Sequence, residues 1–456
     1  MTATLPPAAA RHIRLAEILS ALGQALDMTE GQPEGHCVRC CYIGVRIGEA
    51  LELDPVERSN LYYTLLLKDL GCSSNAARIC QLYLADDLAF KRDFKLIDGS
   101  LPQALRFVLA HTGLKAGLAE RFRAIIHIFQ TGGELARELI ETRCDRGAEI
   151  ARLMRFGSDV ADGIRSLDEH WDGSGLPDRR TGADIPLASR IALLAQVVDV
   201  FHTAAGPAAA IEEVRARSGS WFDPAIVDRF VGLAGDPTFW SDLASDRLEQ
   251  TILGLEPAQT RRTVSDDYLD DIAAAFAQVI DSKSPYTRGH SERVTLFADL
   301  IAAELGFDDG RRRWLKRAAL LHDIGKLGVS NAVLDKPGKL TEPEWDAMKQ
   351  HARFTEDILG RISVFRDLAA VAGAHHERLD GSGYPRGLIA AELPREARIL
   401  AVADVFDALT ADRPYRAALP VAEALTTIDR SAGSSLDPSC IDALHRALKR
   451  LEPAAA

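Results

Sequence analysis

The chain carries no basic surplus. Its 456 residues hold 54 lysines and arginines against 66 aspartates and glutamates, for a net charge of −12. A general DNA- or RNA-binding surface needs a basic face to neutralise phosphates, so that class is excluded. A small anionic substrate is not, because a few local cations or metal ions outweigh a distant negative surface. Long hydrophobic runs are lacking as well. The most apolar stretch, 191–210, is interrupted by Gln196, Asp199, His202 and Pro207, so no segment reads as a membrane span. Residues 1–12 have no basic stretch followed by an apolar one and do not read as a secretory signal. The expectation is a cytoplasmic protein that engages neither membrane nor nucleic acid. The cysteines number seven, an odd count with irregular spacing, which fits reduced thiols rather than a disulfide framework.

What is present is repetition. Asp172–Pro177 and Asp380–Pro385 both read D-G-S-G-x-P, and Pro186, Arg190-Ile191 align with Pro394, Arg398-Ile399 at one offset of 208. The same offset pairs Arg143 with His351. Upstream the offset is 254: Gly35-His36 pairs with Gly289-His290, and Leu67–Gly71 with Leu321–Gly325. The difference is a 46-residue insertion in the first half, between 72 and 141. Apolar residues three and four apart in 311–322 and 395–410 predict helices, and no long run alternates with period two. The expected fold is all-α, a tandem pair of helical domains: 1–232, a linker at 233–264 with Gly-Asp-Pro and Glu-Pro breaks, and 265–456. Ser265 followed by two aspartates reads as the cap of a helix running to Ile280.

The chemistry gathers in the second half. Five histidines fall at repeat-aligned positions, His290, His322, His351, His375 and His376, and Asp323 and Asp404 join them. Imidazole with carboxylate suits Mn, Fe, Co, Ni or Zn. Seven donors exceed one tetrahedral ion but serve two if a carboxylate bridges. His322 and Asp323 are expected to be adjacent on a helix and to diverge by about 100°, serving different ions, and His375 and His376 to diverge similarly. Any one of these histidines alone would read as a surface or core residue; the joint set carries the inference.

His322-Asp323-Ile324-Gly325-Lys326 and His375–Pro385, with Lys336-Pro337-Gly338 and Arg413-Pro414-Tyr415-Arg416, resemble the signatures of the HD-GYP family over about 266–448. The resemblance implies two HD-type helical domains, the second an HD-GYP domain. It also implies a centre of two iron or manganese ions and hydrolysis of cyclic di-GMP to pGpG or GMP by a hydroxide that two metals make available. Some relatives instead use cyclic GMP-AMP. Carried over by position, His290, His322, Asp323, His351, His375, His376 and Asp404 would be metal ligands, with Asp323 bridging and catalytic. Lys326, Arg413 and Arg416 would contact phosphate or nucleotide, Lys326 within the catalytic set. Family members with a third metal carry glutamate four residues before the first histidine. Here that position is Tyr286, a poor ligand, so two ions are expected, with Tyr286 packing beside the site or lining its pocket. Tyr384 either braces the glycine loop or touches substrate.

In the first half the aligned positions are His36, Lys68, Asp69, Arg143, Leu167, Asp168 and Gln196. Only His36 and Asp69 match the seven, and Lys68 and Arg143 put cations where ligands would sit. This repeat reads as inactive, with a role in packing, ligand sensing, or contact with a second copy or another protein. Cys37, Cys40 and Cys41 beside His36 read as small buried hydrophobes, since no second C-x-x-C accompanies them. The rivals to a cyclic-dinucleotide phosphodiesterase are another HD-type nucleotide phosphohydrolase and a non-catalytic signalling adaptor, which would purify without metal.

Overall fold

A computed structural model describes residues 14–97, 101–114, 116–258, 263–414 and 416–451. The N-terminal residues read above as lacking a signal, residues 259–262 of the expected linker, and Tyr415 lie outside these. Among the described residues the chain is helical, with isolated bridges but no strand, and its two halves are built alike.

Each half starts the helix that carries its first repeat-aligned histidine from a glycine in the left-handed region: Gly35 (φ 86°) before His36–Ala50 and Gly289 (φ 68°) before His290–Glu304. Only glycine takes that conformation without strain, and it turns the chain so that the histidine opens the helix. Helices Pro55–Leu67 and Asp309–Leu321 follow, capped by Asp54 and Asp308. Past their ends, Gly71 and Gly325 press against the carbonyls of Arg143 and His351, where a Cβ would collide with backbone. These two contacts join residues paired at different offsets, so the repeat holds in three dimensions across the insertion. Ser265 caps Asp266–Asp281, its side chain accepting from the Tyr268 N–H.

One apolar core runs through both halves. Among the described residues, helix Leu187–Ala205 alone is long and apolar enough to cross a membrane, but Ile191 to Val200 are buried within the protein. The 233–264 stretch differs from the expected linker. It holds helices Pro237–Leu243 and Leu248–Leu255, which bury Phe239 and Ile252, and the Tyr62 hydroxyl donates to the Ile252 carbonyl at 3.2 Å. The Asp236-Pro237 pair that reads as a break is a helix start: Asp236 accepts from the Thr238 N–H, and proline occupies the first turn.

The insertion supplies helices Ala76–Tyr83, Asp87–Phe94 and Leu101–His111 and the first half of Leu118–Leu153, around a small core of Ile79, Phe90 and Phe107. It also pins the halves together. Asp87, with no exposed surface, accepts from Lys283 Nζ (3.2 Å), Ser330 Oγ (3.0 Å) and the Asn331 N–H (2.8 Å), and Lys283 is 1% exposed. Removing one partner of a buried pair costs about 3–5 kcal/mol because the other is left charged and dry. Asp87→Ala is therefore expected to lower unfolding free energy by about 3 kcal/mol or more. Asp87→Leu with Lys283→Met should recover most of that, measured by denaturant melts of all three proteins.

Candidate metal centre

In the second half, Asp323 sits between two sets of donors. His322 and Asp323 do not lie side by side within a helix. Helix Asp309–Leu321 ends just before them and the chain tightens into the turn Ile324–Gly328, so both side chains point to one centre. Asp323 Oδ2 lies 3.3 Å from His290 Nε2 and 3.3 Å from His322 Nε2. Its other oxygen, Oδ1, lies 3.6 Å from both His351 Nε2 and His375 Nε2. Asp404 closes the first set, with Oδ1 3.4 Å from His290 Nε2. His376 closes the second: its ring centroid is 4.0 Å from that of His375, and His351, His375 and His376 offer nitrogens within 4.8 Å of one another. The two neighbouring histidines thus converge on one set, instead of diverging. A turn after helix Arg366–Ala372 allows what a continuous helix would not.

The far ring nitrogens are fixed. His322 donates from Nδ1 to the Ala319 carbonyl (2.7 Å), His351 to Met348 (2.6 Å) and His375 to Ala372 (2.5 Å), each three residues back. His290 Nδ1 donates to Asp407 at 2.7 Å, and Arg293 grips the same carboxylate at 2.5 and 3.1 Å. Each bond anchors Nδ1 and turns Nε2 to the centre; for His351 and His375, which stay neutral, it also leaves Nε2 as a lone pair. His290 Nε2, His322 Nε2 and Asp323 Oδ1 are buried without a hydrogen-bond partner. Buried polar atoms are ordinarily paired, so three orphans in one place call for a bound group. Lone pairs and carboxylate oxygens without facing protons suit cations, and this donor set fits divalent metal ions.

The electrostatics agree. Burial pushes His351 down to about 4 and His375 down to about 3, so both are neutral ligands at pH 7. Burial would do the same to His290, but Asp323 and Asp407 outweigh it and raise this group to about 9. Burial would also raise Asp323; the neighbouring His322 and Lys326 overcome this and hold it well below the carboxylate range. Lys326 Nζ is ion-paired to Asp323 Oδ2.

The remaining expected site residues divide. Arg416 turns its guanidinium to the main chain, donating to the carbonyls of Ala408 (2.6 Å), Leu409 (3.0 Å) and Ala417 (2.8 Å), so it clamps the end of helix Arg395–Thr410. Arg413 is half-buried, and its main chain bridges to Arg416. Tyr384 packs its ring 4.8 Å from His376, with Trp345 edge-on to it at 5.8 Å. Tyr286 is 37% exposed. Sequence reasoning missed Asp407 and Arg293, although a signal was there: Asp199 and Arg39 stand at the matching offsets of 208 and 254. It also missed Glu377, which accepts from the Arg386 and Leu388 N–H groups and braces the glycine loop, as Glu169 does with Asp178 and Arg180.

The first half keeps the frame and fills the centre. His36 Nδ1 donates to Asp199 at 2.6 Å, and Arg39 grips Asp199 at 2.6 and 3.2 Å. Lys68, at the position of His322, puts its ammonium 3.0 Å from His36 Nε2 and in an ion pair with Asp69. Arg143, at the position of His351, pairs with Asp168 at the position of His376. Fixed cations thus occupy the space that metals would need. Cys37, Cys40 and Cys41 are buried, and burial holds their thiols above the ordinary range.

A family model described as HD domain matches residues 100–226 and 274–440. The chain belongs to the HD-domain family, and its second repeat is of the HD-GYP type. Over 96% of its length, and 95% of the relative's, it is 53% identical to "3'3'-cGAMP-specific phosphodiesterase 3" of Vibrio cholerae. It is 44% identical to the "Cyclic di-GMP phosphodiesterase response regulator RpfG" of Xanthomonas campestris, over 39% of this chain and 47% of that one. The crystal structure of V-cGAP3, a cyclic GMP-AMP specific phosphodiesterase of V. cholerae, is 48% identical and covers 96% of this chain and 98% of that one, with a TM-score of 0.66.

A carboxylate that holds the far ring nitrogen of a metal-binding histidine is worth about 10–100-fold in metal affinity. Asp407→Asn is expected to weaken metal binding in the HD-GYP repeat by about that factor, measured by competition with a chelator. Asp199→Asn in the first repeat should leave metal content unchanged.

Proposed function

We propose that this HD-GYP protein hydrolyses a phosphodiester bond of 3'3'-cyclic GMP-AMP to a linear dinucleotide. The observation that carries the reading is the match, over nearly the full length of both chains, to a relative named for that substrate. Cyclic di-GMP, the first expectation from the sequence motifs, is the second reading. The RpfG relative, named for it, aligns over 39% of this chain.

The reading takes two divalent ions, iron or manganese, in the second repeat. His290, His322, Asp404 and Asp323 Oδ2 would hold one, and His351, His375, His376 and Asp323 Oδ1 the other. When bound, such a pair lowers the pKa of coordinated water and spreads charge from a pentacoordinate phosphoryl transition state. The chain's own residues do the rest. Asp323 joins the two donor sets through one carboxylate, which fixes their spacing. Lys326, adjacent to it, places an ammonium where phosphate oxygens approach. Arg413, by its place in the Arg413-Pro414-Tyr415-Arg416 motif, would supply a second cation to the nucleotide. Tyr384 and Trp345, the latter 45% exposed, give an aromatic wall beside His376 on which a purine can stack.

The test is a panel of cyclic and linear dinucleotides given to manganese- or iron-loaded protein under anaerobic conditions, with products separated by chromatography. The expected outcome is kcat/KM for 3'3'-cyclic GMP-AMP at least about tenfold above that for cyclic di-GMP, a difference of about 1.4 kcal/mol in transition-state stabilisation. A preference for cyclic di-GMP would overturn the specificity, and turnover of neither would overturn the reaction. Asp323→Ala is expected to lower turnover by about 10³-fold or more, with loss of bound metal. Asp69→Ala should retain metal and most activity but melt earlier, since Lys68 is left buried without its carboxylate.

A further inference from the structure

The insertion presents an apolar stripe that the chain itself does not cover. Helix Leu118–Leu153 is 36 residues long, about 54 Å. Its first half is apolar on two sides. One side, with Ile128 and Leu135 buried and Leu139 against Phe107's small core, packs inward. The other carries Leu118, Phe122, Ile125, Ile126, Phe129, Gly133 and Ala136, which at about 100° per residue fall within about 60° of one line along the helix. Leu118 is 86% exposed, Phe122 65%, Phe129 48% and Ile126 38%.

These four side chains show on the order of 500 Å² of apolar surface, taking about 200 Å² for a fully exposed large side chain. That is near the upper end of the roughly 300–600 Å² a monomer carries in one patch. Two such stripes facing each other, with Ile125, Ala119, Ala136 and their polar rims, bring the buried total into the roughly 1,200–2,000 Å² of a specific interface.

We propose that the occupant is the same stripe of a second copy, packed antiparallel about a two-fold axis. Two features of the helix favour this partner. First, the stripe has its large residues at one end and its small ones at the other. An axis between Ile125 and Ile126 sets Phe122 against Phe129 of the second copy and Leu118 against Gly133. Bulk meets space at both ends, as an isologous interface requires. Second, Gly132 and Gly133 are unexplained within one chain. A Cβ at Gly133 would meet nothing within 4 Å, and one at Gly132 only Ile128 at 3.9 Å. Glycine in a helix interior costs about 1 kcal/mol relative to alanine, and close approach of another helix is what it permits.

The test uses the full-length chain. Sedimentation at tens of micromolar is expected to give twice the chain mass, and Phe122→Glu to give the single mass. Because Phe122 is largely exposed, the variant should keep the helical circular dichroism and the metal content of the parent. Register is read by a short thiol crosslinker. Ile126→Cys, beside the axis, should couple two chains, while Leu118→Cys, which faces Gly133, should do so no faster than the parent with its seven cysteines. Three results would overturn the proposal: single mass for the parent, which would leave the stripe to a different protein; a Phe122→Glu chain that stays dimeric; or Leu118→Cys coupling as fast as Ile126→Cys.

Discussion

A carboxylate buried at the centre of a helical domain must be met by positive charge, and both halves of this protein are organised around that demand. Asp323 and Asp69 are each about 1% exposed, and an isolated anion there would be costly enough to be protonated or unfolded. The second repeat surrounds Asp323 with imidazoles: His351 and His375 bring no charge of their own at neutral pH, and Lys326 and the proton that His290 holds in the absence of metal meet only part of the demand. That centre is complete only with cations from solution. The first repeat meets the same demand with covalently attached charge, Lys68 on Asp69. Lys95 and Lys91 do the same for the neighbouring Glu30.

The helical repeat and the seven donors were legible in the sequence because glycine turns and ligand positions recur at constant offsets. The turn at Asp323 was not. His322-Asp323 follows a regular helical pattern, and nothing in the side chains announces that helix Asp309–Leu321 ends one residue before the pair. Convergence of His375 and His376 was hidden for the same reason. Arg416 read as a phosphate contact because its charge is visible in the sequence, while the carbonyls left open at the end of helix Arg395–Thr410 are not. Asp407 and Asp199 escaped notice because they are ligands to a histidine instead of to an ion.

The insertion shows why a length difference between repeats matters. Its Asp87 crosses to the second repeat and accepts from Ser330 and Asn331, just beyond the Ile324–Gly328 turn that carries Lys326. The turn is held on another side by the first helix of the chain, where Met28 lies against Gly328. The segment bearing Asp323 and Lys326 is therefore fastened from the first repeat, by a buried ion pair and by packing. The first repeat thus braces the turn at the centre of the second, through contacts far from the donor set.

The retained frame of the first repeat follows from the same physics. His36, Asp199 and Arg39 repeat the geometry of His290, Asp407 and Arg293 although Lys68 stands where His322 does. In the second repeat this trio orients the His290 ring within the donor set and ties the start of helix His290–Glu304 to the last turn of Arg395–Thr410; in the first, the same tie joins His36–Ala50 to Leu187–Ala205. Burial holds His36 neutral, at about 4, with the Lys68 charge pressing the same way. The ring can then accept from the ammonium through Nε2 while donating to Asp199 through Nδ1. A histidine at position 68 would supply a ligand and leave Asp69 uncompensated without metal. Lysine removes the ligand and supplies the charge in one side chain. The first repeat can thus lose its chemistry without losing its core.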